Sequence, residues 1–177
     1  MATKSKNANL GKMLEDKIIA INKHYLATGV ASIKKVPNAW VVRRKGPHII
    51  GANPVPSGLC DFVGTSYLVG GRQIVFDAKE CKLKTRFPLR NIKPSQMDHM
   101  KETIDHGGIA FLIIWFTETD ETFYVPYDFI EAYWIDAELH PDDKNKSIPL
   151  QDIQNHCTVI TDMDYMGNAV FHDETHD

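Results

Sequence analysis

The sequence predicts a mixed α/β domain built on a central β-sheet, and three observations predict it. Apolar residues recur at helical spacing over Leu14, Ile18, Ile21, Tyr25 and Leu26. Short β-patterned runs bounded by turn residues follow at Leu59–Val63, Gln73–Lys79 and Ile109–Phe116. The patterns succeed one another as helix, strand, arm, two strands, helix, two strands, helix, an alternation that layers helices against a sheet. At 177 residues, 43% hydrophobic and 24% charged, the chain is long enough to bury one sizeable core. That composition excludes collagen-like, low-complexity and wholly disordered classes.

Residues 1–9 are polar and read as a flexible N-terminus. The first helix runs from Leu10 and stops near Thr28-Gly29, where glycine suits a C-cap. Val30–Ile33 reads as a short strand. Residues 36–59 are rich in proline and glycine, carry the basic cluster Arg43-Arg44-Lys45, and read as a protruding arm or loop. Gly70-Gly71 is the turn between the next two strands. Residues 80–94 read as a basic loop. Ser95 is the expected N-cap of a helix ending near Asp105, ahead of His106-Gly107-Gly108. Ile109–Phe116 reads as a buried strand, Thr122–Val125 as its partner across a turn at Thr119-Asp120, and Tyr127–Ala137 as a helix. Beyond Leu139 the pattern weakens. The expected division is a domain over 10–139, with the arm inserted at 36–59, and an acidic extension over 140–177.

The longest uninterrupted apolar run has eight residues, so no spanning helix is expected. No apolar stretch follows the N-terminal lysines, which argues against a signal peptide. Three widely spaced cysteines, Cys60, Cys81 and Cys157, suit neither a disulfide framework nor a zinc site, and point to a reducing, cytoplasmic setting.

Net charge is only −3, but its distribution is uneven. Residues 34–101 hold thirteen Lys/Arg against four Asp/Glu, whereas residues 102–177 hold two against seventeen. The basic middle is a candidate polyanion-binding surface, or else a solvated face balanced by the acidic third. Its members are Lys34, Lys35, Arg43, Arg44, Lys45, Lys82, Lys84, Arg86, Arg90 and Lys93, with Trp40 in the arm either stacking on a base or anchoring the arm. The acidic third should lie away from any DNA face.

The chemistry concentrates at Asp61 and the run Ile74-Val75-Phe76-Asp77-Ala78-Lys79. Residues two apart on a strand share a face, so Asp77 and Lys79 project together. With Asp61 on the neighbouring strand, two carboxylates and a lysine meet at a sheet end, a donor set that suits a hard divalent cation such as Mg²⁺. The lysine would offset phosphate charge. Taken alone, Asp77 and Lys79 also read as a strand-end ion pair. His99 reads as packed or hydrogen-bonded rather than as a ligand. Trp115 and Trp134 read as core. Asp162-x-Asp164-x-x-Gly167 with Asp173 only faintly matches a calcium loop.

In chain order, Gly11-x-x-x-Glu15, Asp61 and Phe76-Asp77-Ala78-Lys79-Glu80 resemble the signature of the PD-(D/E)xK nuclease superfamily. Lys84-Thr85-x-Phe87-Pro88-Leu89-x-Asn91, Gln96-x-x-His99-Met100-Lys101 and the earlier Asn22-Lys23-x-Tyr25-Leu26 resemble the RecU family of Holliday junction resolvases, over roughly residues 10–137. The resemblance implies a restriction-endonuclease-like core: a central mixed sheet flanked by helices, with the basic arm as a projecting stalk. It implies Asp61 and Asp77 as metal-binding carboxylates, Lys79 as the catalytic lysine, Glu15 as a helix-borne glutamate at the metal and Gln96 as a polar residue beside it. It further implies Mg²⁺ or Mn²⁺, one or two per site, a homodimer acting on branched DNA, and a recombinase as a candidate partner, in a bacterial or phage-infected cell. Cys60 stands where the superfamily often has proline, and Asp77 is one methylene shorter than the commoner glutamate.

Three functions follow as expectations. The first is a metal-dependent endonuclease resolving four-way DNA junctions by paired symmetric cuts in recombination and repair. The second is a nuclease of the same type acting on duplex, flap or damaged DNA. The third is a non-catalytic DNA-binding recombination accessory protein.

Overall fold

The computed structural model describes residues 10–37, 39–55, 58–142 and 146–168. The expected flexible N-terminus at 1–9 and the end of the acidic extension, including Asp173, lie outside the described residues. The elements are α1 (Leu10–Ala27), β1 (Ala31–Lys35), β2 (Ala39–Lys45), β3 (His48–Val55), β4 (Phe62–Ser66), β5 (Gln73–Cys81), β6 (Arg86–Pro88), α2 (Pro94–Asp105), β7 (Ile109–Phe116), β8 (Glu121–Pro126), α3 (Tyr127–Leu139), β9 (Ser147–Pro149), α4 (Leu150–His156) and β10 (Thr158–Val159). The mixed α/β architecture with a central sheet is the one the sequence predicts. Among the described residues no helix is long and apolar enough to cross a membrane.

Six strands form the central sheet in the order β1-β4-β5-β7-β8-β10. Among the described residues only β5 and β7 pair in parallel, and the chain between them passes through β6 and α2, the crossover that a parallel pair requires. Side chains alternate across the sheet. Phe111, Ile113 and Trp115 of β7 pack toward α1, with Leu14, Ile18 and Tyr25. Leu112, Ile114 and Phe116 pack on the other face, with Met97 and Met100 of α2, Ile130 of α3 and Ile153 of α4. Burial on both faces explains why β7 is an unbroken apolar run.

Aromatic rings lock the register of the central strands. Phe62 stacks on Phe76 at 4.9 Å, Phe76 on Phe111 at 4.7 Å, and Phe111 meets Tyr124 at 4.6 Å, one ring from each of β4, β5, β7 and β8. Such pairs contribute about 0.5–1.5 kcal/mol each beyond burial. Gly64 lies where β1 and β4 press together; a Cβ there would stand 2.2 Å from the Ser32 carbonyl oxygen. Because Phe62 is held opposite Phe76, Asp61 arrives opposite Asp77.

Several boundaries differ from the sequence reading. β1 is shifted to Ala31–Lys35, and β4 starts at Phe62, so Asp61 precedes the strand instead of lying within it. The basic loop expected at 80–94 contains the end of β5, the short strand β6 and a helical turn over Leu89–Asn91. The N-cap of α2 is Lys93, not Ser95, because Pro94 takes the first helical position, where its missing N–H costs nothing. Residues 39–55 of the expected arm form an antiparallel hairpin, β2 with β3, paired among the described residues only to each other. Trp115 is buried; Trp134 is half-buried, packed against the core on the same face of α3 as Ile130, and also lines a cavity.

After Leu139 the chain returns to the body. β9 pairs with β6, and β10 adds to the sheet beside β8. Tyr165 is fully buried against Phe76, and its hydroxyl donates to Asn22. Asp164, part of the faint calcium-loop pattern, instead accepts the Tyr25 hydroxyl at 2.7 Å.

Candidate active site

The site forms where β4 leaves β5. The ladder between them ends at Phe62 and Phe76, while β5 continues alongside β7 as far as Cys81. The residues Asp77–Cys81 therefore line a gap in the sheet, bordered on one side only. Alternation sends Asp77 and Lys79 toward α2, and Glu80 toward α1.

Asp77 is 0% exposed, and its two carboxylate oxygens have different partners. Oδ1 accepts the backbone N–H of Asp61 at 2.5 Å. Oδ2 faces the Lys79 ammonium at 3.0 Å as a charge contact without hydrogen-bond geometry, and is otherwise without a partner. Lys79 Nζ also donates to Gln96 Oε1 at 2.9 Å. The same Gln96 oxygen accepts the Lys93 backbone N–H at 3.0 Å, so the start of α2 fixes the amide that fixes the lysine. A lysine gripped from two sides in a mostly buried setting is pre-organised, which favours electrostatic work over solvation.

Asp61 completes the centre. Burial raises its carboxyl to about 6, with the Asp77 charge adding to the rise and Lys79 opposing it. Glu15 and Lys35 also act on Asp61 electrostatically, and they form an ion pair with each other across α1 and β1. All five sequence-predicted site residues, Glu15, Asp61, Asp77, Lys79 and Gln96, thus gather at one end of the sheet. Glu15 is engaged by Lys35 on the α1 side, and among the described residues no three His, Cys, Asp or Glu stand at metal-ligand spacing. The chemistry of Asp61 and Asp77 suits a hard divalent cation: two close carboxylates, one with a buried oxygen short of partners, are relieved by positive charge.

Two residues outside the predicted site support it: Glu80, to which the sequence assigns no role, and His99, which is hydrogen-bonded as the sequence predicts. Glu80 Oε1 accepts the Leu14 N–H at 2.9 Å, tying β5 to the turn of α1 that carries Glu15. Its place directly after Lys79, on the opposite face of a strand, was the available signal. His99 Nδ1 accepts the Cys60 N–H at 2.9 Å, which holds the residue before Asp61. Burial lowers the His99 pKa and so keeps the ring neutral for that acceptance.

Comparison with known proteins decides the family. The family profile described as "Recombination protein U" matches residues 9–167. The chain belongs to the RecU family. The Holliday junction resolvase RecU of Oceanobacillus iheyensis is 37% identical over 159 residues, covering 86% of this chain and 78% of that one. The RecU of Geobacillus kaustophilus is 36% identical, covering 84% and 74%. The RecU of Ligilactobacillus salivarius is 34% identical, covering 82% and 68%.

In this RecU-family chain the basic side chains fall into two groups. Arg43, Arg44 and Lys45 lie on β2 of the hairpin, exposed, with Trp40 59% exposed nearby in the same strand. Lys82, Lys84, Arg86, Arg90 and Lys93 are exposed on the path from β5 to α2. Lys84 lies 3.9 Å from Glu118, a loose surface contact. Lys34 is exposed on β1, whereas Lys35 is spent on Glu15.

Proposed function

We propose that this RecU-family chain is a metal-dependent endodeoxyribonuclease of the PD-(D/E)xK type that resolves four-way (Holliday) DNA junctions by paired symmetric cuts in recombination and repair. One observation carries the reading: the Asp77 carboxylate is shared between the Asp61 backbone and the Lys79 ammonium at the gap in the sheet. Asp61 and Asp77 would hold Mg²⁺ or Mn²⁺, with Glu15 as the donor from α1. When bound, the cation supplies charge that stabilises the attacking and leaving oxygens of an in-line displacement.

The chain's own residues do the rest. Lys79, held by Asp77 and Gln96, presents its charge to a phosphate oxygen at the gap. The exposed cations from Lys82 to Lys93 bind the strand through its phosphates, which gives affinity without much sequence choice. The hairpin acts as a stalk reaching into the branch point. It also exposes Val41, Val42, Ile49 and Ile50, an apolar surface of the kind that marks association. A homodimer would place two such sites on a substrate of approximate two-fold symmetry.

The test uses end-labelled synthetic four-way junctions with Mg²⁺, Mn²⁺ or EDTA, and a linear duplex alongside. Paired nicks on the junction alone, dependent on metal, are expected. Equal cutting of the duplex would reassign the substrate to duplex, flap or damaged DNA. Binding without cutting under any metal would make the chain an accessory DNA-binding protein. Changing Arg43, Arg44 and Lys45 together to Ala should weaken junction binding and flatten its salt dependence, each lost phosphate contact reducing the log–log slope by about 0.9. An unchanged slope would remove the hairpin from the contact surface.

A further inference from the structure

Beside α2 lies a cavity of about 490 Å³ that the catalytic residues do not use. Its size falls among small-molecule sites, about 300–1,000 Å³. It opens between β6 with the turn that follows it and the C-terminal half of α3. Pro88, Ile92 and Trp134 give it apolar walls, and Arg86, Arg90 and Lys146 also line it. Among the described residues, none of those three cations has a carboxylate within ion-pair distance. The acid in the lining, Glu138, is engaged instead by the Trp134 indole N–H at 3.0 Å, which holds the ring in place.

An indole wall beside three cations against one carboxylate, a lining of net positive charge, calls for a flat apolar group that carries negative charge. A nucleotide has both parts. The position fits as well. Pro94 lines the cavity and opens α2, and Gln96, in the same first turn, holds Lys79. Lys82, Lys84 and Lys93, sequence neighbours of the lining residues Leu83, Ile92 and Pro94, are exposed as well, and so many cations suit repeated phosphates better than a single acidic side chain of a protein.

We infer that this cavity receives one unstacked nucleotide of the DNA strand, its base against Trp134 and its phosphate on Arg86, Arg90 and Lys146. The inference rests on the nuclease reading for the identity of the strand. A base inside an intact duplex must be unpaired to enter, whereas a branch point offers one at lower cost. The cavity thereby makes the neighbouring catalytic lysine respond to open base pairs.

The full-length chain in EDTA is titrated with a four-way junction, a linear duplex and thymidine 5′-monophosphate. Trp134→Ala is expected to lose about tenfold in affinity for junction and mononucleotide, and Trp134→Phe to stay within about threefold of the parent, as base stacking requires. Duplex affinity should not change in either variant. The Phe variant and a thermal melt separate lost stacking from lost folding. Unaltered mononucleotide binding by Trp134→Ala would overturn the inference. So would inorganic phosphate competing as well as the mononucleotide, or displacement by an acidic peptide but not by the mononucleotide. Mononucleotide binding that depends on Trp134, in a protein that cuts no junction with Mg²⁺, would uphold the cavity and sink the nuclease reading; junction cutting with Trp134-independent binding would do the reverse.

Discussion

Asp77→Asn is expected to remove junction cleavage, by at least about a thousandfold, while binding in EDTA persists. The side chain keeps its size and can still accept the Asp61 N–H through its amide oxygen. It loses the charge that faces Lys79 at 3.0 Å and that would hold a cation. Lys79 is only 14% exposed at its side chain, so an ammonium left with Gln96 alone is costly. The variant should therefore also melt earlier, by an amount that pairing with added divalent metal does not restore. Single-turnover cleavage with Mg²⁺ and a filter-binding isotherm in EDTA check both halves. Cleavage within tenfold of the parent, on the order of 1.4 kcal/mol, would refute the role given to Asp77.

Asp61→Asn should separate stability from activity in the opposite sense. The folded protein raises the Asp61 carboxyl from 3.8 to about 6, chiefly by burial and then by Asp77. A carboxyl whose folded pKa is raised binds its proton more readily in the folded state. Its contribution to stability is full below the ordinary carboxylate range and is lost as pH rises through about 6. Above pH 7 the ionised group therefore weighs against the metal-free fold, by roughly 1–2 kcal/mol once solvent screening of a partly exposed side chain is allowed for. Asparagine removes that cost. The metal-free variant should melt roughly 3–6 °C higher at pH 8 and no higher at pH 4, while cutting no DNA. Melting curves at the two pH values decide it. A gain of the same size at both would show that titration of Asp61 is not its source.

The parts of the site visible in the sequence are those written in strand alternation. Alternation alone brings Asp77 and Lys79, two apart on β5, to one face; Asp61, just ahead of β4, joins them through the Phe62–Phe76 register, which the sequence does not show. α1, α2 and β7 were visible for a similar reason: each buries a stripe or a whole face long enough to show its period. The hairpin was not legible as strands. Among the described residues β2 and β3 pack against no second layer, and nothing enforces an apolar–polar alternation. Pro54 within β3 strengthens the loop signal and is tolerated in a ribbon with free edges. β6, β9 and β10 have three, three and two residues, too few to carry any period. The ties made by Glu80 and His99 depend on which face the strand and helix present, and on partners 66 and 39 residues away.

The shortest strand of the sheet has a consequence for solubility. β10 pairs with Phe123 and Tyr124, and the Ile160 N–H continues the ladder to the Thr122 carbonyl at 2.7 Å. Without that segment β8 would present an open row of backbone donors and acceptors beside an apolar run, a template on which other chains add strand by strand. Thr158–Ile160 cover that edge and leave β10, two residues long, as the outermost strand, too short a row to template another chain.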